Sequence, residues 1–406
     1  MRAVAMAGLL ALSVASLPML GARADELDNH VIKIGVLTDF SSQFAFYTGK
    51  YALQAVQMAA DDFKKLKPNR KVEVVSADHQ NKGDIGSTIA RQWFDVDKVD
   101  VIADLANSSI ALAALPIATE RKKILLATTP NNMRITNELC NGMTARFGAD
   151  SYVNNTAVRA LLNQGVSTLF LMSWDNASGA DAERIATEMI NSNGGKVNGT
   201  VRFPFGAADM SSFILQAKAS GAKGITIGAG GGDLVNAIKS AAEFGVLGPQ
   251  TVVGLNMSLS DVHGLGLPTA KGMYYSDGFY WDRTPETRAF ATRYFEANGK
   301  TKMPDNVAAS NYSATLHYLR AADAVGTVDA AKVIEQMQKT PVRDLYTQTG
   351  TLRPDGQMVH ETYLLQVKTP AESKGPWDYL KIIATIPAEQ AYLPLSVSTC
   401  PLVKKS

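Results

Sequence analysis

Short apolar runs rich in β-branched residues alternate with longer stretches whose apolar positions recur every three or four residues, from Val31 to about Leu255. Residues 31–38 (VIKIGVLT) read as a buried strand. A polar and aromatic loop follows, then a helix over residues 50–66 with Leu53, Val56, Ala60 and Phe63 on one face. Pro68-Asn69 ends it. The pattern continues with a strand at 71–77, a helix at 85–94, a strand at 99–105 and, after another helix, a strand at 123–128. From Tyr152 it restarts: helix 153–164, strand 168–173, helix 181–193 closed by Gly194-Gly195, strand 196–203, helix 211–220, strand 224–228, helix 233–244 and strand 250–255. Such alternation predicts parallel sheets covered by helices on both faces. The halves also rhyme: Asp84 and Ser87 precede a helix, a strand and Ala-Asn-Ser-Ser, while Asp209 and Ser212 precede a helix, a strand and Ala-Gly-Gly-Gly. Two α/β lobes facing one cleft are expected.

The remainder makes no third lobe. It reads as a Tyr- and Phe-rich strand at 272–280, helices at 285–297, 308–325 and 330–338, and a hairpin over 350–368 turned at Pro354-Asp355-Gly356. A chain that crosses between lobes several times makes a bendable hinge. The crossings are expected at Ala149, Ser276 and Met358, which divides the chain into residues 25–148 with 277–357 as the first lobe and 149–276 with 358–406 as the second lobe and tail.

The stretch 99–116 (VDVIADLANSSIALAALP) carries the first chemical signal: strand, tight loop, helix. At the carboxyl end of a parallel strand, the first N–H groups of the next helix have no partner within it. Together with the helix dipole and the hydroxyls of Ser108 and Ser109, they suit a small anion such as a carboxylate. The plainer alternative is that Asn107 or Ser108 merely caps a helix.

A chain of 406 residues, 46% hydrophobic and 19% charged, has the size and composition for two globular domains. The first 24 residues differ: Arg2, an apolar run over 4–15 and Ala22-Arg23-Ala24 form a secretory signal peptide with cleavage near Ala24-Asp25. That run is short for a bilayer span, and no later segment approaches one, so no membrane insertion of the mature chain is expected. Without Arg2 and Arg23 the 40 basic residues become 38, equal to the 38 acidic ones, which gives no electrostatic case for nucleic acid. Cys140 and Cys400, an isolated pair in an exported chain, are expected to form a disulfide tying the tail beyond Pro394 to the loop after Thr136.

Catalytic signatures are missing: there is no G-x-S-x-G, H-E-x-x-H or G-x-x-x-x-G-K-[ST]. His30, His79, His263, His317 and His360 are scattered without metal spacing, and no metal or cofactor is expected. An exported hydrolase would need a serine beside a histidine in the fold, for instance Ser108 near His79.

The order VIKIGVLTDFSS, VDVIADLANSS, ILLATTPNN, TLFLMSWDNASG and DMSSFILQAKASGAKGI resembles the periplasmic substrate-binding proteins of the leucine/isoleucine/valine-binding family, which serve ABC importers. The later run, including FYWDRTPETRAF, TLHYLRAADA, TLRPDGQMVHETYLLQVKTPAESKGPWDYLKIIATIP and the two cysteines, resembles the branch that binds aromatic acids. The resemblance implies a type I periplasmic-binding fold, two doubly wound parallel-sheet lobes on a multi-strand hinge, without catalysis. The implied receptor closes on a small carboxylate such as a benzoate or cinnamate and delivers it to a membrane permease. A binder of branched-chain amino acids or short amides, or a sensor acting on a regulatory partner, shares that fold.

Carried onto this sequence, the family's contacts fall on Tyr47, on Asn107 and Ser108, and on Asn131 and Asn132 after the strand end Thr128-Thr129-Pro130. In the second lobe they fall on Asn176, Ser178, Gly230 and Gly231. Thr128 and Phe46 join the expected ligand-binding set, and Phe44, Phe46 and Tyr47 are candidates for an apolar wall. All but the aromatic positions sit just beyond carboxyl ends of expected strands, where open α/β sheets place ligands. Where the aromatic-acid branch shows Asp-Tyr-Ala-Phe-Gly, this chain has Asp175-Asn176-Ala177-Ser178-Gly179, which exchanges two aromatic walls for small polar groups. Amino-acid binders use an acidic group for the ammonium, and the matching place here holds Leu255-Asn256. A ring burying about 150 Å² contributes about 4 kcal/mol, against the roughly 8 kcal/mol of micromolar binding, so hydrogen bonds to a carboxylate would have to supply the balance.

Overall fold

The computed structural model describes residues 26–404, so the expected signal peptide lies outside the described residues. The first lobe is laid down as β1 (Val31–Thr38), α1 (Gly49–Leu66), β2 (Lys71–Asp78), α2 (Gly83–Asp95), β3 (Val101–Asp104), α3 (Ser108–Glu120), β4 (Ile124–Ala127) and β5 (Thr144–Arg146). Its strands pair in the order β2-β1-β3-β4-β5, all parallel. Every residue of β3 and β4 is buried, which is why these strands read as unbroken apolar runs instead of alternating ones.

The second lobe runs through α4 (Ser151–Asn163), β6 (Thr168–Trp174), α5 (Ala177–Ser192), β7 (Lys196–Phe203), α6 (Ser211–Ala219), β8 (Gly224–Gly228), α7 (Gly231–Glu243), β9 (Thr251–Gly254), the short α8 (Leu259–Leu265) and α9 (Leu267–Ala270), and β10 (Tyr274–Asp277). The chain then returns to the first core with α10 (Pro285–Ala297), α11 (Asn306–Val325), α12 (Ala330–Lys339), β11 (Thr351–Leu352) and β12 (Met358–Val359). It ends with β13 (Thr362–Val367), β14 (Leu380–Ile386) and α13 (Ala388–Ala391). The second sheet has the order β14-β13-β10-β9-β8-β6-β7, with its last two strands by sequence, β13 and β14, antiparallel.

The expected hairpin over 350–368 is divided. Only β11 and β12 pair around the Pro354-Asp355-Gly356 turn, with Leu352 and Met358 in the first core. The rest becomes β13, paired with β10 and β14 in the other sheet. The edge strand β14 was not expected from the sequence, although Ile382, Ile383, Thr385 and Ile386 make its run rich in β-branched residues; residues 382–385 are exposed.

α11 is buried around most of its circumference between α1 and the first sheet, which accounts for its many small residues, Ala308, Ala309, Ser310, Ser313 and Ala314 among them. The tail beyond β14 goes back to the first lobe. There Thr399 N donates to Asn137 Oδ1 (3.3 Å) and Cys140 is bonded to Cys400 with Cα atoms 5.6 Å apart, the pairing expected from the sequence.

Candidate functional site

The carboxyl ends of both sheets face a single cavity. On the first-lobe side β3 runs out into Asp104 and Leu105, both left-handed (φ 74° and 63°), a conformation non-glycine residues rarely hold. Asp104 is held by its neighbours: its Oδ1 accepts from Asn311 Nδ2 of α11 (3.2 Å) and from the Thr129 hydroxyl after β4. Burial raises the Asp104 carboxyl above the ordinary range against the opposing effect of those donors.

This turn presents the start of α3. Asn107 caps it, Oδ1 accepting from Ser109 N (2.9 Å), and donates Nδ2 to Asn81 Oδ1 (2.5 Å). Ser108 Oγ donates to Asn131 Oδ1 (3.1 Å) and accepts from Asn132 N (3.3 Å). Asn131 Nδ2 in turn reaches the other lobe, donating to Asn256 Oδ1 (2.8 Å). Asn107 thus caps its helix, as in the plainer alternative, and also lines the cavity.

The second-lobe side is aromatic. Trp174, the last residue of β6, donates Nε1 to Asp233 Oδ2 (2.7 Å), which also accepts from Gly206 N (2.9 Å). Phe44, from the loop after β1, meets the indole edge-on at 6.1 Å, and Phe205 lies 5.4 Å from Trp174 and 5.8 Å from Phe44. This cluster supplies aromatic surface that Asn176 and Ser178 do not. α5 approaches so closely that a Cβ at Gly179 would stand 2.0 Å from the Trp174 carbonyl oxygen, and Asn176 caps it through Ser178 N and Gly179 N (both 3.0 Å). α7 starts differently: Gly230 is its N-cap with no side-chain bond, and Gly231 (φ 58°) packs against the Gln43 backbone of the opposite lobe. Beyond β9, Asn256 accepts through Oδ1 from Asn131 and Asn154, while its buried Nδ2 has no partner among the described residues.

The floor is made by the hinge. Asp277 at the end of β10 is 6% exposed, and its Oδ1 accepts from Gly278 N (2.8 Å). Asn306 at the start of α11 accepts from Tyr346 Oη (2.7 Å). Tyr47 is placed through its main chain, because the fully buried Lys302 donates to the carbonyls of Phe46 (2.8 Å) and Tyr47 (3.1 Å) and pairs with Asp305 (2.9 Å). Burial, then Asp305 and Asp277, raise the Tyr47 hydroxyl. Among the described residues no Lys, Arg or His lines the cavity, and Asp277 is its one carboxyl group.

Of the residues expected from the sequence, Tyr47, Asn107, Ser108, Thr128, Asn131, Asn176, Ser178, Gly230 and Gly231 line the cavity. Phe46 does not: the residue is 45% exposed and its ring packs edge-on against Tyr51 at 5.5 Å, outside the cavity. Asn132 is buried behind the wall, where Oδ1 accepts from Arg134 N (3.0 Å) and Nδ2 ties the lobes by donating to Ala177 O (3.2 Å). A second tie, Met133 N to Asp181 Oδ2 (2.8 Å), lies beside it. Trp174, Phe205, Asn256 and Asp277 were not singled out as contacts, although each stands at or just past the end of a strand, so the strand-end rule had the power to find them. Asn154 and Asn306, on α4 and α11, carry no such signal.

Ser108 and His79 are not hydrogen-bonded to each other. Ser108 Oγ bonds Asn131 and Asn132, and His79 Nδ1 accepts from Asn81 N (3.0 Å). Among the described residues no cluster of His, Cys, Asp or Glu forms a metal site, and no helix is long and apolar enough to cross a membrane.

The sequence profile of the periplasmic binding proteins matches residues 31–376. The chain belongs to that family. A periplasmic binding protein from Burkholderia mallei is 40% identical over 92% of this chain and 99% of its own, with a TM-score of 0.89. A branched chain amino acid ABC transporter periplasmic ligand-binding protein from Burkholderia xenovorans LB400 is 41% identical over 92% of this chain and 100% of its own, with a TM-score of 0.84. At the level of fold alone, a solute binding protein of an ABC transporter from R. palustris, in complex with 4-hydroxybenzoate, matches with a TM-score of 0.80 at 19% identity over 88% of this chain and 98% of its own. Among curated proteins, a Leu/Ile/Val-binding protein homolog 6 from Brucella abortus (strain 2308) is 26% identical over 219 residues, 53% of this chain; the chain spans about half (54%) of the length of that relative. Two α/β lobes around a cleft are the architecture of this family of binding proteins.

Proposed function

We infer that this periplasmic binding protein receives a small organic acid, an aromatic carboxylate such as a benzoate or cinnamate, in the inter-lobe cleft and hands it to the permease of an ABC importer. The observation that carries the reading is the pairing of an aromatic cluster, Phe44, Trp174 and Phe205, with the start of α7, which has no side-chain cap, in one cavity. A helix start without a capping side chain offers backbone N–H groups and the positive end of a dipole to an anion. The unpaired Asn256 Nδ2 is a further donor on the same wall. The closed state gains from whatever contacts the ligand makes with both lobes over those it makes with one.

A second reading, a branched-chain amino acid, is favoured by the name of the B. xenovorans relative. Its ammonium would have to meet Asp277, the cavity's one carboxyl among the described residues.

The test is a thermal-shift and calorimetric screen of benzoate, 4-hydroxybenzoate, cinnamate, leucine and acetamide. A ligand at a hundredfold excess over its Kd stabilises the folded protein by about 2.7 kcal/mol. Stabilisation by an aromatic acid is expected; stabilisation by leucine alone would overturn the ligand class in favour of the second reading.

A further inference from the structure

A cleft that takes an anion without a lysine or arginine in its wall has to reconcile that anion with Asp277. This carboxyl is 6% exposed and lines the cavity, and its one hydrogen bond is from Gly278 N (2.8 Å). Asp305, just before α11, acts on it directly, and Asp261 of α8 and Asp104 at the end of β3 join both in acting on Tyr47, while Lys302 bonds Asp305 (2.9 Å) and the carbonyls of Phe46 and Tyr47. The remaining titratable groups facing this floor are Tyr47 from the first loop, Tyr275 on the same strand, and Tyr346 and His360, both packed on Gly278. Burial holds His360 uncharged by pushing it down to about 4, so no positive charge comes from that side.

A buried carboxyl with no cation paired to it resists ionisation, and a neighbouring carboxylate raises that work further. Asp305 holds the lysine and caps α11 through Ala308 N (3.2 Å). Asp277 has neither advantage, and burial with the field of Asp305 moves its carboxyl well above the ordinary range. A neutral carboxyl, unlike a carboxylate, is an O–H donor.

We propose that Asp277 faces the ligand as a neutral carboxylic acid and donates its O–H to an acceptor on the bound molecule, so that one proton is shared between two carboxyl groups when that molecule is a carboxylate. This deepens the organic-acid reading and, for its ligand half, rests on it. No bond other than the hydrogen bond forms, and the proton stays in the site. Ionisation of Asp277 at higher pH removes the donor and opposes two negative charges, so carboxylate binding weakens as the pH rises.

The test has two arms. In protein labelled with carbon-13 at aspartate carboxyls, the Asp277 signal, identified by its loss in Asp277→Asn, is followed from pH 5 to pH 9. A signal that remains in the protonated position at pH 7 supports the proposal, and one already ionised at pH 6 overturns it. In the second arm 4-hydroxybenzoate is titrated by calorimetry over the same range. Its affinity is expected to fall by up to tenfold per pH unit at the alkaline end, and Asp277→Asn, whose amide donates at every pH, should bind it at least tenfold more tightly than the parent at pH 9. Affinity that rises with pH, or leucine binding that Asp277→Asn abolishes, would identify an ammonium partner and overturn the proposal. Should 4-hydroxybenzoate bind at no pH while the carbon signal is that of a neutral acid, the organic-acid reading falls and the neutral donor stands.

Discussion

On the first-lobe side of the cleft Asn107, Ser108, Thr129 and Asn131 are hydrogen-bonded to Asn81, Asp104, Asn256 and one another, whereas on the second-lobe side Trp174 and Phe205 offer ring surface held by a single carboxylate. A ligand oxygen on the polar wall exchanges one hydrogen bond for another, for a net gain of about 0.5 to 1.5 kcal/mol each. Ring surface gains by area and needs no such exchange, so it contributes affinity in proportion to what it covers. On the organic-acid reading, the polar wall selects and orients while the aromatic wall retains. Asn176 and Ser178 bring no ring to that wall; Phe44 and Phe205 supply rings from two loops and Trp174 from the end of β6.

The strongest way to break this comparison is Trp174→Ala. It empties a site only 4% exposed and leaves Asp233 without its indole donor, so urea denaturation should show a loss of about 3 to 5 kcal/mol. A loss below about 1 kcal/mol would mean that the aromatic wall is not a packed unit. Next is Ser108→Ala combined with Asn131→Ala. Calorimetry with 4-hydroxybenzoate should show binding weakened by about ten- to a hundredfold, or roughly 1.4 to 2.8 kcal/mol, while the melting temperature moves little. An unchanged affinity would shift the whole of recognition to the second lobe. Asn176→Ala removes two capping bonds from α5 and should lower folding stability by about 1 kcal/mol, measured by denaturation.

The effects of pH separate the floor from both walls. Asp261 is raised by burial to about 7, above the roughly 3.9 of an unfolded aspartate, so the folded protein binds more protons between those values and stability falls as pH rises through them. His360 is lowered by burial to about 4 from the roughly 6.5 of an unfolded histidine, so the unfolded chain binds more protons and stability falls as pH drops from about 6.5 toward 4. Melting temperature against pH should therefore decline on both sides, and Asp261→Asn should lessen the decline on the neutral side, which Asp277 and Asp104 share, without changing the acid side.

Much of this was legible in the residues. Apolar runs at 124–127 and 224–228 gave buried parallel strands, and Gly194, left-handed at φ 75°, closes α5 where a helix stop was expected. Eight of the expected contact residues reach the cavity because the ends of parallel strands converge there whatever the sequence between them, and Tyr47 reaches it from the loop after β1. The failures differ in kind. Phe46 and Tyr47 are neighbours in the chain, but the loop that turns only Tyr47 into the cavity is held through both carbonyls by the buried ammonium of Lys302, more than 250 positions away. β14 pairs with β13 at the sheet edge, and its β-branched Ile382, Ile383, Thr385 and Ile386 were a local strand signal that went unread.

The bond between Cys140 and Cys400 closes a covalent ring over 260 positions of the chain. The entire second lobe is threaded on that ring. A protease that severs one hinge passage would therefore yield a nicked molecule that runs intact on a non-reducing gel and falls into two fragments once the bridge is reduced. The same ring caps how far the jaws can gape, because the tail has to reach Asn137 however wide they swing.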